Sequence, residues 1–296
     1  MSDTLINLQR RKQSAGDLGA VVRTMKAMAS SNITQYEMAV QALQDYYRTI
    51  SLGLFACLKS GDISVVSHET YRKDQVSVAL IFGTDQGLVG RFNDIVTDFT
   101  RESMKDITGE VEVWVVGERV YSLLMDVGRT PKRLFNVPNS VSAITPLVNQ
   151  LLLRIEEYRQ SNRLYKFHIF HNAPLPNEGY RPVNQQLYPP GADWNEQVKK
   201  GKWPSANLPQ VIGEPEETLR VLIREYLFVS IYKACAESLS SENASRLGSM
   251  QRAEKNIDEM LEDLKLGYNR LRQDTIDAEL FDVISGFEAM KERDKR

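Results

Sequence analysis

Proline is absent from both ends of this chain, and that absence is the strongest constraint on its fold. All 11 prolines of the 296 residues lie between Pro131 and Pro215. Because a proline inside a helix costs about 3 kcal/mol, the two proline-free ends are free to form long helices. We therefore predict three parts, residues 1–60, 70–212 and 213–296.

Apolar spacing supports a long helix at the N-terminal end. Steps of four and three residues alternate along it, as in a coiled-coil seam or the buried stripe of a long helix. The stripe consists of Leu18, Val22, Met25, Ala29, Asn32, Tyr36, Ala39, Leu43, Tyr46 and Ile50. We predict a helix over about 4–58, roughly 80 Å long at 1.5 Å per residue.

The C-terminal end carries a similar stripe. It consists of Met250, Ala253, Ile257, Leu261, Leu264, Tyr268, Leu271, Thr275 and Ala278. A helix over about 217–290 is predicted, too long for a compact domain of this size to cover. We expect the two terminal helices to form an antiparallel coiled coil; the alternative is that each packs separately on the middle of the chain.

The middle of the chain alternates between strand and helix patterns. Strands are predicted at 76–82, 111–117 and 164–172, with a short one at about 183–188, and helices at 92–104, 118–127 and 143–159. Such alternation favours a mostly parallel sheet with helices on its faces. The predicted fold class is α/β: two long terminal helices with an inserted Rossmann-like domain.

Composition excludes several classes of function. Lys and Arg number 37 against 39 Asp and Glu, so no basic field indicates nucleic-acid binding. No run reaches the roughly 18 apolar residues of a membrane span, and no signal or transit peptide is recognisable. Three histidines and two cysteines give little basis for a metal site. His168 and His171 are predicted on opposite faces of one strand, and Cys57 and Cys235 as buried, reduced neighbours.

One turn has the location of a phosphate site. The segment GTDQGLVGRFN, residues 83–93, follows the first strand and precedes a helix. Its spacing, G-x-x-x-G-x-x-G, matches neither the dinucleotide fingerprint nor the phosphate loop, and it contains no lysine. We expect a tight turn that uses glycine for backbone reasons, with nucleotide binding as the alternative.

The C-terminal tip is apolar around most of its helix. Its apolar residues are Leu280, Phe281, Val283, Ile284, Phe287 and Met290. Such a surface favours a sleeve of other protein around the tip, although fraying or self-association would also accommodate it. A polar belt, residues 269–279, precedes the tip.

These segments resemble the gamma subunit of F-type ATP synthases. Residues 241–280, with YNRLRQ, are similar to the family's C-terminal signature; TDQGLVGRFN resembles its S-D-R-G-L-C-G-G-F-N, and TMKAMASSN its A-M-K-M-V-A-A-S-K. Val89, Arg91 and residues 254–255 depart from the pattern, as expected of a divergent branch.

The resemblance implies a rotor shaft that couples ion flow to ATP synthesis or hydrolysis, with no catalytic site or cofactor of its own. The implied partners are three alpha and three beta subunits, the epsilon subunit and the membrane c-ring. The implied location is peripheral, on the cytoplasmic face of a bacterial inner membrane. A nucleotide-binding α/β protein and a structural coiled-coil tether remain alternatives, and the tether predicts a polar tip.

The resemblance also implies roles for particular residues. The residues implied to contact the beta subunit are Arg272, Gln273, Thr275, Glu279, Arg246 and Met25. Those implied to form the bearing are Leu280, Ile284 and Phe287. Those implied to shape a turn of the foot domain, near the epsilon and ring-facing side, are Asp85, Gly87, Gly90 and Asn93.

Overall fold

A computed structural model describes residues 4–60, 75–161, 163–176, 179–190, 203, 207 and 209–293. Its helices are α1 (Leu5–Ala42), α2 (Gln44–Ser60), α3 (Phe92–Ser103), α4 (Glu118–Asp126), α5 (Val141–Gln160) and α6 (Pro215–Arg293), with a 3-10 turn at Met104–Asp106. Its strands are β1 (Val76–Phe82), β2 (Glu110–Val116), β3 (Arg133–Phe135), β4 (Leu164–Pro174) and β5 (Tyr180–Tyr188). This agrees with the predicted mixed α/β class and the long terminal helices.

The five strands form one sheet in the order β3-β2-β1-β4-β5. β1, β2, β3 and β4 are parallel, and β5 is antiparallel to β4. The prediction of a mostly parallel sheet is therefore confirmed. β3 was missed because a three-residue strand leaves no periodicity, and β5 is longer than the predicted 183–188.

Alternate side chains of the central strands enter two separate cores. Val78 and Leu80 of β1 join the larger core with apolar residues of α2, α5 and α6, while Ala79 and Ile81 join the smaller core with α3 and α4. Every residue of β1 is buried, as expected for a central parallel strand covered on both faces.

The chain divides into two compact units: Met1–Met28 with Leu247–Arg296, and Ala29–Arg246. Both α1 and α6 contribute residues to each unit. The three-part division predicted from proline content remains a prediction. Among the described residues, no helix is long and apolar enough to cross a membrane.

The single N-terminal helix predicted over 4–58 is wrong, because Leu43 interrupts it. There the backbone N–H of Leu43 bonds to the Val40 carbonyl at 3.2 Å, a tighter turn than an α-helix makes. After the interruption the predicted stripe holds only in part: Tyr46 is 41% exposed, whereas Ile50 and Leu54 are buried in the larger core. Core packing of α2 here overrides the heptad spacing.

In the unit formed by 1–28 and 247–296, α1 and α6 contact each other through a small apolar cluster. Val22, Met250 and Ile257 are its buried members. Leu18 was predicted in this stripe, but it is 54% exposed and Gly19 is buried in its place. A Cβ on Gly19 would lie 3.3 Å from Ile257 Cγ2, so glycine allows the two helices to approach closely at this point.

Candidate functional site

The turn between β1 and α3 is fixed by the carboxylate of Asp85. One oxygen of Asp85 accepts the backbone N–H of Glu118 at 3.0 Å, and the other accepts that of Val137 at 3.1 Å. Glu118 is the first residue of α4, where backbone N–H groups have no partner within the helix. Asp85 therefore satisfies a helix N-terminus and connects the turn to the segment after β3.

A second bond pair within the turn joins Thr84 and Asn93. The Asn93 amide oxygen accepts the Thr84 backbone N–H at 3.1 Å, and its NH₂ donates to the Thr84 hydroxyl at 3.0 Å. Both residues are buried. Of the four predicted turn residues, Asn93 thus binds the backbone within the turn, and Asp85 binds backbone N–H groups outside it.

The glycines of the turn serve different purposes. Gly90 has a φ of 56°, in the left-handed region. Leu88, two residues earlier, has a φ of 63°, and its side chain is 62% exposed. A Cβ on Gly83 would lie 2.3 Å from a Val120 methyl, which excludes any other residue without movement of α4. Gly87 has ordinary φ, and a Cβ there would meet Arg119 at 3.5 Å.

This geometry favours a structural turn over a phosphate site. A phosphate at a helix N-terminus accepts bonds from free backbone N–H groups. The turn precedes α3, whose first turn carries the carboxylate of Asp94, and the turn itself carries that of Asp85, so two negative charges oppose an anion there. The expectation of a tight turn agrees with these contacts.

A buried polar layer, Glu242 with Arg246, Tyr36 and Cys235, lies in the unit of residues 29–246. Arg246 Nη2 donates to a Glu242 carboxylate oxygen at 2.6 Å, and both side chains are about nine-tenths buried. Burial raises the pKa of Glu242; Arg246 opposes this shift and the charge of Asp85 adds to it. Burial and the Glu242 charge together raise the pKa of Tyr36 to about 12.

Two further bonds lie beside this layer. The Ser245 hydroxyl donates to the Val89 carbonyl at 2.5 Å, which joins α6 to the turn between β1 and α3. The Asn32 side chain donates to that of Asn243 at 3.3 Å, which joins α1 to α6. Sequence reasoning missed this layer, although the polar run SLSSENAS, residues 238–245, inside a helix was its signal.

The residues implied to contact the beta subunit lie in different surroundings. Arg272, Gln273 and Glu279 are exposed, and Thr275 bonds to the Leu271 carbonyl of its own helix at 2.8 Å. Two others are engaged within the chain.

Arg246 is bonded to Glu242, and Met25 packs partly buried against the cluster of Val22, Met250 and Ile257. Arg246 and Met25 therefore differ from Arg272, Gln273 and Glu279, because their side chains contact other residues of this chain instead of solvent.

The implied bearing residues lie on an exposed stretch of α6. Every described side chain from Ile276 to Gly286 is exposed, including Leu280 at 56% and Ile284 at 47%. The side chain of Phe287 lies outside the described residues. In the isolated chain, the described apolar side chains of this tip are thus uncovered.

His168, His171 and the two cysteines all contact other residues of this chain. His168 bonds to Asn184 at 3.1 Å and His171 to Glu237 at 2.9 Å, on opposite faces of β4. Burial lowers the pKa of His168, and the bond from His171 lowers the pKa of Glu237 against the effect of burial. Neither cysteine forms a disulfide within the described part of the chain, and both are buried in the larger core. The described residues contain no group of three or more His, Cys, Asp or Glu side chains able to hold a metal ion.

Comparison with known proteins relates this arrangement to one family. A family model described as ATP synthase matches residues 4–290, nearly the whole chain. The chain belongs to this ATP synthase family. The ATP synthase gamma chain of Geobacter metallireducens is 27% identical over 296 residues, covering 97% of this chain and 99% of that one. The gamma chain of Rhizobium etli is 25% identical, with the same coverage.

Solved structures of family members share the fold. A chain of the Euglena gracilis mitochondrial ATP synthase, in an assembly of OSCP, F1 and c-ring, superposes with a TM-score of 0.62 at 16% identity, covering 97% of this chain and 94% of that chain. A chain from the rotor of the same enzyme gives 0.60 at 14% identity, covering 92% and 98%. The resemblance to gamma subunits is therefore confirmed.

Proposed function

We propose that this chain is the gamma subunit, the central rotor shaft, of an F-type ATP synthase. In this role it mechanically couples ion flow through a membrane ring to ATP synthesis or hydrolysis in a surrounding ring of alpha and beta subunits. The observation that carries the proposal is the full-length match to gamma chains, which includes both terminal helices and the sheet between them.

The C-terminal tip provides independent physical support. An exposed helix with Leu280, Phe281, Val283 and Ile284 uncovered is unfavourable in water. A sleeve formed by other subunits would bury these side chains. A structural tether would instead require a polar tip, and a nucleotide-binding domain would not require the long helices.

The finer architecture belongs to the same proposal. The contact of Gly19 with Ile257 and the ion pair of Lys26 with Glu254 suit an antiparallel coiled coil of α1 and α6. The sheet order β3-β2-β1-β4-β5, with four parallel strands, suits a Rossmann-like insert. In this reading the foot domain comprises about residues 70–212, between shaft segments 1–60 and 213–296.

The proposed roles of individual residues follow from the resemblance to gamma subunits. Arg272, Gln273, Thr275 and Glu279 would form the polar contact with the beta subunit, and the first two are exposed for it. Leu280, Ile284 and Phe287 would form the apolar bearing. Met25 and Arg246 would face a lower region of beta, and Arg246 would have to exchange Glu242 for a partner in another chain.

In the foot, Asp85, Gly87, Gly90 and Asn93 would hold the shape of a turn near the epsilon subunit and the membrane ring. The subunit would have no catalytic site and no cofactor of its own, since the nucleotide sites would belong to the ring around it. The protein would be peripheral to the membrane, on the cytoplasmic face of a bacterial inner membrane.

Purification of a tagged copy from detergent-solubilised native membranes tests this function. We expect two larger nucleotide-binding subunits to be recovered with ATP hydrolysis activity. A matched variant with Leu280→Asp and Ile284→Asp should remain folded, because both side chains are exposed, and should lose these subunits. Recovery of the unmodified chain alone, without ATPase activity, would contradict the proposal.

A further inference from the structure

A groove between α5 and α6 combines an apolar floor with arginine side chains. Its volume is about 250 Å³. The floor contains Leu152, Ile155 and Leu227, which are almost fully buried, and the rim contains Leu153 and Val221, which are 63% and 59% exposed. Aliphatic carbon therefore extends from the interior to the opening of the groove.

Three guanidinium groups surround this groove: Arg159, Arg220 and Arg224. Arg159 is paired with Glu156 at 2.9 Å and lies over the Tyr188 ring. Neither Arg220 nor Arg224 has an ion-pair partner in the described part of the chain. Three arginines against one glutamate leave a net charge of +2 in the lining.

The two unpaired arginines are four residues apart on α6, so they share one face of the helix. Like charges at this spacing destabilise a helix slightly. An anion between them would remove that repulsion and accept hydrogen bonds from both. Arginine is suited to this because its planar group binds carboxylate or phosphate oxygens in a bidentate manner.

We propose that this groove binds an anionic amphiphile, with an aliphatic chain on the apolar floor and a carboxylate or phosphate head at Arg220 and Arg224. An apolar cavity of about 150 Å³ is large enough for benzene, so this volume accommodates a short aliphatic chain. The ligand is either a free fatty acid or the acyl chain and head of a membrane lipid. This inference is independent of the rotor function.

Octanoate is the probe for the free-acid source, titrated into the full chain and followed by ligand-observed NMR. Arg220→Gln with Arg224→Gln should raise the Kd about tenfold or more, because each lost bond to a charged group weakens binding substantially. Octanol, which has the same chain without the charge, should bind about tenfold more weakly than octanoate by the same reasoning. Arg101→Gln, on α3, is the matched control and should leave the Kd unchanged.

Location is tested with a fatty acid that carries a diazirine in its chain. Photolabelling should modify residues 152–155 or 221–227, and Leu153→Glu should abolish it by placing a carboxylate in the groove. Co-sedimentation with vesicles of anionic lipid, compared with neutral vesicles, distinguishes the lipid source. Octanoate binding that survives the double arginine substitution, labelling elsewhere, or no binding of octanoate or anionic vesicles would overturn the proposal.

Discussion

The buried pair of Glu242 and Arg246 provides the sharpest test of how the polar layer is built. The perturbation is Arg246→Met, which keeps an unbranched side chain of moderate length and removes the positive charge. Because both groups are about nine-tenths buried, removal of one partner leaves an uncompensated carboxylate. Such a loss typically costs about 3–5 kcal/mol in the free energy of unfolding.

The loss in the free energy of unfolding caused by Arg246→Met should depend on pH, and the direction of that dependence follows from the pKa of Glu242. Burial raises the pKa of Glu242, so the folded chain binds more protons than the unfolded chain between the ordinary and the raised pKa. The contribution of this group to stability is therefore fully present below the ordinary pKa and is lost as pH rises through the raised one. Arg246 lowers the pKa of Glu242, so its removal moves that pKa further upward.

The destabilisation by Arg246→Met should accordingly be larger at pH 8 than at pH 5, because acidic pH favours the protonated form of Glu242. Within the window between the two pKa values, the change approaches about 1.4 kcal/mol per pH unit. Urea unfolding followed by tryptophan fluorescence measures it, because all three tryptophans lie between residues 114 and 203.

Two matched variants complete this test. Glu242→Gln combined with Arg246→Met removes both charges, and should recover most of the stability while removing the pH dependence that comes from Glu242. Arg252→Met, on the exposed side of α6, should change stability by less than about 0.5 kcal/mol. An equal loss for Arg246→Met at both pH values, or a double variant no more stable than the single one, would refute the reasoning.

Other substitutions test the remaining parts of the structure. Arg272→Ala combined with Gln273→Ala should weaken ATP-driven ion pumping by membrane vesicles while changing stability by less than about 0.5 kcal/mol, since both side chains are exposed; unchanged pumping would contradict their role. Gly117→Ala should cost about 3 kcal/mol or more by urea unfolding, because φ is 107° and its Cβ would lie 2.7 Å from the Thr84 nitrogen. Ile257→Ala should cost about 2–5 kcal/mol in helix melting of the unit formed by 1–28 and 247–296; a loss below about 1 kcal/mol would show that the cluster is not tightly packed.

Strong patterns in the sequence predicted most of the fold. β1 was predicted at its observed bounds, because seven consecutive apolar-rich residues between polar segments indicate a strand buried on both faces. α6 was predicted over 217–290 and observed at Pro215–Arg293, since a long segment without proline that carries an apolar stripe leaves few alternatives.

The failures share one cause, which is packing between distant parts of the chain. The helix interruption at Leu43 follows from burial of α2 in the larger core, and nothing in the local residues marks it. The choice of Gly19 over Leu18 as the inward residue depends on the position of Ile257, more than 200 residues away. A heptad pattern predicts how often a residue faces inward, but contacts with the opposing helix determine which residues do so.

The candidate site was only partly predictable for a similar reason. The exposed belt and apolar tip could be identified because a helix surface is determined by its own residues. The bonds of Asp85 to Glu118 and Val137, and the pairing of Arg246 with Glu242 near Tyr36, join separate elements. Contacts between separate elements produce no regular spacing of residues along the sequence, so the sequence pattern does not predict them.

Direct observation of rotation tests the central claim. The complex containing this chain would be fixed to a surface through its larger subunits, with a bead attached to a cysteine introduced at the exposed position Leu88. The proposed function predicts that ATP drives the bead in one direction, in steps set by the threefold ring. ATP hydrolysis by an intact complex with a stationary bead would contradict a rotor role.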